Sequence, residues 1–154
     1  MSQLAERMQQ DLTEAMKARD QVRVATLRMA ISAVREEAVA GKQARELTDE
    51  EVEKVLRTQV KRRDEAAEAF QSAGRDEQAA KELDERSILS AYLPEELDEG
   101  DLEALVEEAL AAGGFADPSQ MGPAMNTVMA AVAGRAEGKR VSAIVKAKLT
   151  GNGG

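Results

Sequence analysis

The sequence predicts an all-α, multihelical protein, and three observations carry that expectation. Alanine is plentiful and β-branched residues are sparse, with only Phe70, Tyr92 and Phe115 as aromatics, so local preference is helical nearly throughout. Apolar residues recur at spacings of three and four along most of the chain, the period of a half-buried helix. Glycine, proline and capping residues punctuate those stripes where helices start and stop. The expected architecture is an N-terminal helical hairpin subdomain over residues 1–93, a C-terminal three-helix bundle over 94–150, and a flexible tail at 151–154.

Leu4, Met8, Leu12 and Ala15 form the first stripe, and Val24, Leu27, Ile31, Val34 and Ala38 the second. Either Asp20 caps a break between them or one long bent helix runs from Ser2 to Val39. Gly41 is suited to stop it. Thr48 and Glu51 form an S/T-x-x-E capping box that launches Val52, Val55, Leu56, Val60, Ala67 and Phe70. Gly74 ends that helix, and Arg75 to Tyr92 makes a fourth with Leu83, Ile88 and Tyr92 on its apolar side. Leu93-Pro94 is the expected boundary, because proline disfavours helix at the preceding residue and the composition shifts just after it. Asp98 caps the next helix, which buries Leu102, Leu105, Val106, Ala109 and Leu110 and breaks at Gly113-Gly114. Asp117-Pro118 supplies an N-cap followed by proline at the first helical position. Met121, Met125, Val128, Met129 and Val132 line the helix that follows, with Gly134 at its end, and Val141, Ile144, Val145 and Leu149 form the last stripe.

With 154 residues, 43% hydrophobic and 32% charged, the chain reads as a soluble globular protein able to bury a core. It has no cysteine and no histidine. Thiolate and imidazole chemistry, disulfides and the usual zinc sites are therefore excluded, as is the commonest general base near neutral pH. No stretch approaches the ~20 apolar residues of a membrane span. The acidic residues Glu6, Asp11 and Glu14 near the start suit neither a secretory nor a transit peptide. The expected setting is the cytoplasm, without a membrane, metal or cofactor. The acidic runs Thr48 to Glu51 and Glu95 to Glu99 read as helix starts rather than metal sites.

Net charge is −8, unevenly spread. Residues 94–133 carry nine carboxylates and no Lys or Arg; residues 134–154 carry five cations and one carboxylate. Lys139 and Arg140 fall where the last helix begins, the end at which the macrodipole disfavours cations and favours anions. With Arg135 nearby and Lys146 and Lys148 further along, this is the candidate site for RNA phosphates. The competing reading is that the acidic segment neutralises the basic one internally. Gly134-x-x-x-Gly138-Lys139 does not make a Walker loop: one residue is missing, Arg140 stands where Ser or Thr belongs, and a helix rather than a strand precedes it. Lys17, Arg19 and Arg28 form a second basic region of secondary contacts, with a structural salt bridge as the default for Arg28. Lys61-Arg62-Arg63 reads as a solvated helix face, the methionines of 121–129 as core, and Phe115 as a plug.

Several segments together resemble the GatB/YqeY family: Ala15 to Asp20, Thr26-Leu27-Arg28, Lys61 to Glu65, Phe70 with Ala73-Gly74-Arg75, Tyr92-Leu93-Pro94, Met121-Gly122 with Met125, and Gly134-Arg135. The likeness covers nearly the whole chain and is to stand-alone YqeY-type proteins. It implies two all-α subdomains, the second similar to the tail of GatB, a subunit of the glutamine-dependent amidotransferase acting on mischarged tRNA. In that enzyme the tail helps hold tRNA while the chemistry occurs elsewhere. It also implies the label of carbon–nitrogen ligase with glutamine as amido-N-donor, although this sequence shows no amidase Ser-Lys apparatus and no catalytic residue can be nominated. Pro123 departs from the pattern, standing where the family commonly shows a basic residue. The expected function is a tRNA-binding accessory protein without catalysis of its own. The alternative is a module that docks on amidotransferase subunits or another partner through its N-terminal helices.

Overall fold

The computed structural model describes residues 2–151, so most of the tail expected at 151–154 lies outside the described residues. Among those described, the chain is all helical: α1 Gln3–Lys17, α2 Gln21–Val39, α3 Asp49–Ser72, α4 Asp76–Ser90, α5 Glu99–Gly113, a 3-10 turn Pro118–Gln120, α6 Met121–Val132 and α7 Gly138–Thr150. The contacts divide it into two compact units, residues 1–93 and 94–154.

In the first unit the break between α1 and α2 is real. Asp20 caps α2 by accepting from the Arg23 amide, and Arg19 takes a left-handed conformation with φ 57°. The Asp20 amide donates to the Ala15 carbonyl at 3.0 Å, closing a turn in which glycine is the usual occupant. Thr48 and Glu51 form the reciprocal capping box at the start of α3. Glu51 also receives the Arg45 guanidinium at 2.7 Å. The Thr48 amide and Arg45 hold its carboxyl below the usual glutamate range. Gly74, at φ 73°, ends α3. The core joins Met8 and Ala15 of α1, Leu27, Ala30 and Ile31 of α2, Val52, Leu56 and Val60 of α3, and Leu89 and Tyr92 from the end of α4.

Two expectations fail here. Leu83 is 39% exposed; α4 buries Ala79 and Leu89 instead. Arg63 does not belong to a solvated face. It is only 4% exposed, because the buried stripe of α3 passes through Val52, Leu56, Val60, Arg63 and Ala67. Its guanidinium donates to the carbonyl and the side-chain oxygen of Gln59, each at 3.1 Å. The Nε lies 3.4 Å from Glu85, close enough for an ion pair but without hydrogen-bond alignment. Lys61 and Arg62 are exposed.

The second unit has its own core of Leu97, Leu102, Val106, Leu110, Ala124, Val128, Val132, Ala136, Val141, Val145 and Leu149. Asp98 caps α5, and Gly114 ends it at φ 70°. Phe115 packs on this core as the expected plug. A Cβ at Gly113 would stand 2.5 Å from the Phe115 ring, so this glycine admits the ring by close approach. Asp117 and Pro118 open a 3-10 turn that leads into α6. Met121, Met125 and Met129 pack around the core from partly buried positions, while Ala124, Val128 and Val132 fill its interior.

Candidate nucleic-acid interface

The five cations proposed for RNA divide into two groups. α7 contains Lys139, Arg140, Lys146 and Lys148 and no carboxylate. Its apolar stripe, Val141, Val145 and Leu149, faces the core, which leaves a cationic flank on each side of that stripe. One flank meets α5. Arg140 reaches Glu99 at 3.1 Å and the Leu97 carbonyl at 3.3 Å. Lys148 lies 3.1 Å from Glu103 and also bonds Glu107. Hydrogen bonding to Glu107 and then Glu103 raises the Lys148 ammonium above its ordinary range.

Arg135, just before α7, donates from Nε to the Glu95 carbonyl at 3.0 Å. Its own carbonyl accepts from the Leu97 amide at 2.7 Å. Arg135 and Arg140 therefore clamp residues 95–97, the strap leading into α5. Lys139 and Lys146 stand on the other flank. Both are exposed, and neither makes an ion pair among the described residues. The physical reason is that α6 carries no charged residue at all. Being seven residues apart, the two residues lie on one side of the helix, ~10 Å apart along its axis.

The start of α7 differs from those of α1, α2, α3 and α5. There Ser2, Asp20, Thr48 and Asp98 each accept a backbone N–H, whereas Glu137 provides no side-chain cap for α7. Unsatisfied amides and the dipole together give that end a positive potential. Pro123, in the first turn of α6, is exposed and adds no charge.

Of the secondary cations, Lys17 and Arg19 lie at the turn between α1 and α2, and Arg28 lies within α2. Lys17 is 3.9 Å from Glu14. Arg28 does not make the expected salt bridge; its Nη2 lies 4.0 Å from the sulfur of Met16, and the positions three and four residues away on its own helix, Val24, Ala25, Ile31 and Ser32, carry no carboxylate. An apolar cleft of about 180 Å³ opens elsewhere in this unit, against Ala5, Met8, Ile31, Val34 and Leu47. It falls below the ~300–1,000 Å³ typical of small-molecule sites. Among the described residues no group of three or more His, Cys, Asp or Glu side chains is placed to hold a metal ion, and no helix is long and apolar enough to cross a membrane.

The strap clamp was not foreseen in the sequence, since its acceptors are main-chain carbonyls that no residue type reveals. The pairing of α7 with α5 was signalled by the complementary charge of the two segments. Arg63 was also detectable, standing three residues after Val60 and four before Ala67 on an apolar stripe. No curated protein matches the chain. A family model described as Yqey-like protein matches residues 5–149. With that match spanning almost all of both units, the chain belongs to the YqeY-like family.

Proposed function

We propose that this chain is a non-catalytic accessory protein that holds tRNA in the cytoplasm through the α6–α7 side of its second unit. The observation that carries this reading is the pair Lys139 and Lys146, two exposed cations without carboxylate partners beside a helix that bears no charge. Phosphate contacts of this kind position a backbone without reading sequence. The exposed face of α6 is small and neutral, with Gly122, Asn126, Thr127, Ala130 and Ala131, and lets a nucleic-acid backbone approach closely. The family relation to the tail of GatB favours tRNA among RNAs. In this reading, amide transfer from glutamine resides in a partner amidotransferase.

The footprint is smaller than five cations. Arg135, Arg140 and Lys148 have internal partners, and they reach phosphate only by exchanging them. Such exchange is cheap for Arg140, since exposed ion pairs contribute about 0–1 kcal/mol and Glu99 is 70% exposed.

Anisotropy of labelled bulk tRNA across a salt series tests the proposal. The slope of log affinity against log salt should become shallower by about 0.7–0.9 for each of Lys139 and Lys146 replaced by glutamine. Absence of binding at low salt, or an unchanged slope in a Lys139→Glu/Lys146→Glu variant, rejects it.

A further inference from the structure

The guanidinium of Arg63 carries its N–H donors in a fixed fork, and in this nearly sealed position they are unevenly served. Nη1 donates to the carbonyl and the side-chain oxygen of Gln59. Nε has no aligned acceptor, although Glu85 supplies charge at 3.4 Å. Nη2 donates to the sulfur of Met29 at 3.9 Å, and a thioether is a weak acceptor. With Arg63 only 4% exposed, water makes up little of that difference. An oxygen acceptor at the place of the sulfur lone pair would serve this buried cation better.

Met29 itself is open to solvent. It is 56% exposed on α2, against 0% for Met8, while Met121, Met125 and Met129 are partly buried. Met16 matches it in exposure at 50% and also meets an arginine, with Arg28 Nη2 at 4.0 Å from its sulfur. Arg28, however, is exposed and has water as an acceptor. The chain contains no cysteine, so thioether sulfur is the only sulfur it offers to an oxidant.

We propose that Met29 is an oxidation site whose sulfoxide is received by Arg63, fastening α2 to α3. The oxidant is hydrogen peroxide. A lone pair of the sulfur attacks one peroxide oxygen, and the S–O bond forms as the O–O bond breaks. The proton of the transferred oxygen passes to the departing hydroxide, giving water. Sulfur thereby loses an electron pair and the peroxide gains it. A dithiol reverses the step through a methionine sulfoxide reductase, closing to a disulfide as the oxygen leaves in water. A charge-assisted N–H···O bond of about 2.7–2.9 Å, bent at the sulfoxide oxygen, spans the sulfur-to-nitrogen gap already present. Methionine oxidation disrupts packing where it puts a polar oxygen among apolar side chains. At Met29 the oxygen instead meets a cation that Gln59 and Glu85 hold in place. The proposal uses neither Lys139 nor Lys146, so it stands or falls apart from tRNA binding.

The full chain is titrated with hydrogen peroxide, with oxygen addition located by peptide mass spectrometry and stability followed by urea unfolding under circular dichroism. Met16 and Met29 should oxidise ahead of Met8, Met121, Met125 and Met129. Exposure alone gives that order, so stability decides the question. In a Met16→Leu chain, oxidation of Met29 should raise the folded-to-unfolded ratio by about tenfold, the scale of a hydrogen bond to a charged group. Methionine sulfoxide reductases of both epimer specificities, supplied with dithiothreitol, should return it. In a Met29→Leu chain, where Met16 takes the oxygen, peroxide should leave the ratio unchanged. Met29→Gln, whose carbonyl oxygen stands in for the sulfoxide, should be more stable than Met29→Leu without any oxidant, since both are good helix formers. No variant alters Arg63, so each keeps the buried cation and its partners. Unchanged or lowered stability of the oxidised Met16→Leu chain overturns the proposal. So does a gain that persists in Met29→Leu, equal stability of the Met29→Gln and Met29→Leu chains, or oxidation of Met29 no faster than that of the partly buried methionines.

Discussion

Arg63 and Tyr92 show how single side chains in the first unit depend on partners from other helices. With Arg63 nearly sealed and Glu85 14% exposed, Arg63→Ala strands a carboxylate among packed helices. Breaking such a pair costs about 3–5 kcal/mol. Urea unfolding should show that loss, and a double variant with Glu85→Gln should recover part of it. Tyr92 donates to Asp11, and the Arg7 guanidinium lies 4.8 Å from its ring centroid. Burial first, then the Asp11 hydrogen bond and charge, push the phenol well above its ordinary 10.0, with Arg23 and Arg7 pulling the other way. The folded state therefore holds this proton more tightly than the unfolded state. Its contribution to stability is complete below pH about 10 and is lost as pH climbs toward the raised value. Tyr92→Phe should flatten the alkaline fall in stability, followed by thermal unfolding. Tyr92 is the only tyrosine, so its titration can be read directly by ultraviolet absorbance.

At the scale of elements, helix starts were the most legible features and charged flanks the least. The Thr48–Glu51 box depends on residues three apart in sequence, and its bonds form whatever surrounds α3. Thr48→Ala should cost about 1 kcal/mol, measured as a shift in the urea midpoint. Because the Glu51 carboxyl is held low, the contribution of its bonds is present above the usual glutamate pKa of 4.5 and fades as pH falls through the folded value. The stability difference between wild type and Glu51→Gln should shrink in acid. The flanks of α7 depend instead on its neighbours. α5 supplies Glu99, Glu103 and Glu107 to one side, while α6 supplies nothing charged to the other. The sequence shows four cations on one helix but not which neighbour borders each flank.

For the whole molecule, each unit carries a core of its own. Fragments 1–93 and 94–154 should each give helical circular dichroism and a cooperative urea transition. The second should be the weaker, since a domain of about 60 residues buries a smaller share of its surface. Failure of either fragment to fold would show that its stability depends on the rest of the chain. The charge pattern of the whole chain also becomes intelligible: the acidic segment 94–133 is partly matched by α7 through three carboxylates of α5.

The sequence alone determined the all-helical class, the helix starts at Thr48 and Asp98 and the family, because each rests on local chemistry or on ordered motifs. Only the tertiary structure decided that Arg63 is interior, that Arg135 and Arg140 clamp the strap at 95–97, and that of the five cations around α7 Lys139 and Lys146 are the ones left exposed. Those outcomes depend on which surfaces meet. A charge's availability is set by neighbours distant in sequence, and neither composition nor periodicity encodes them.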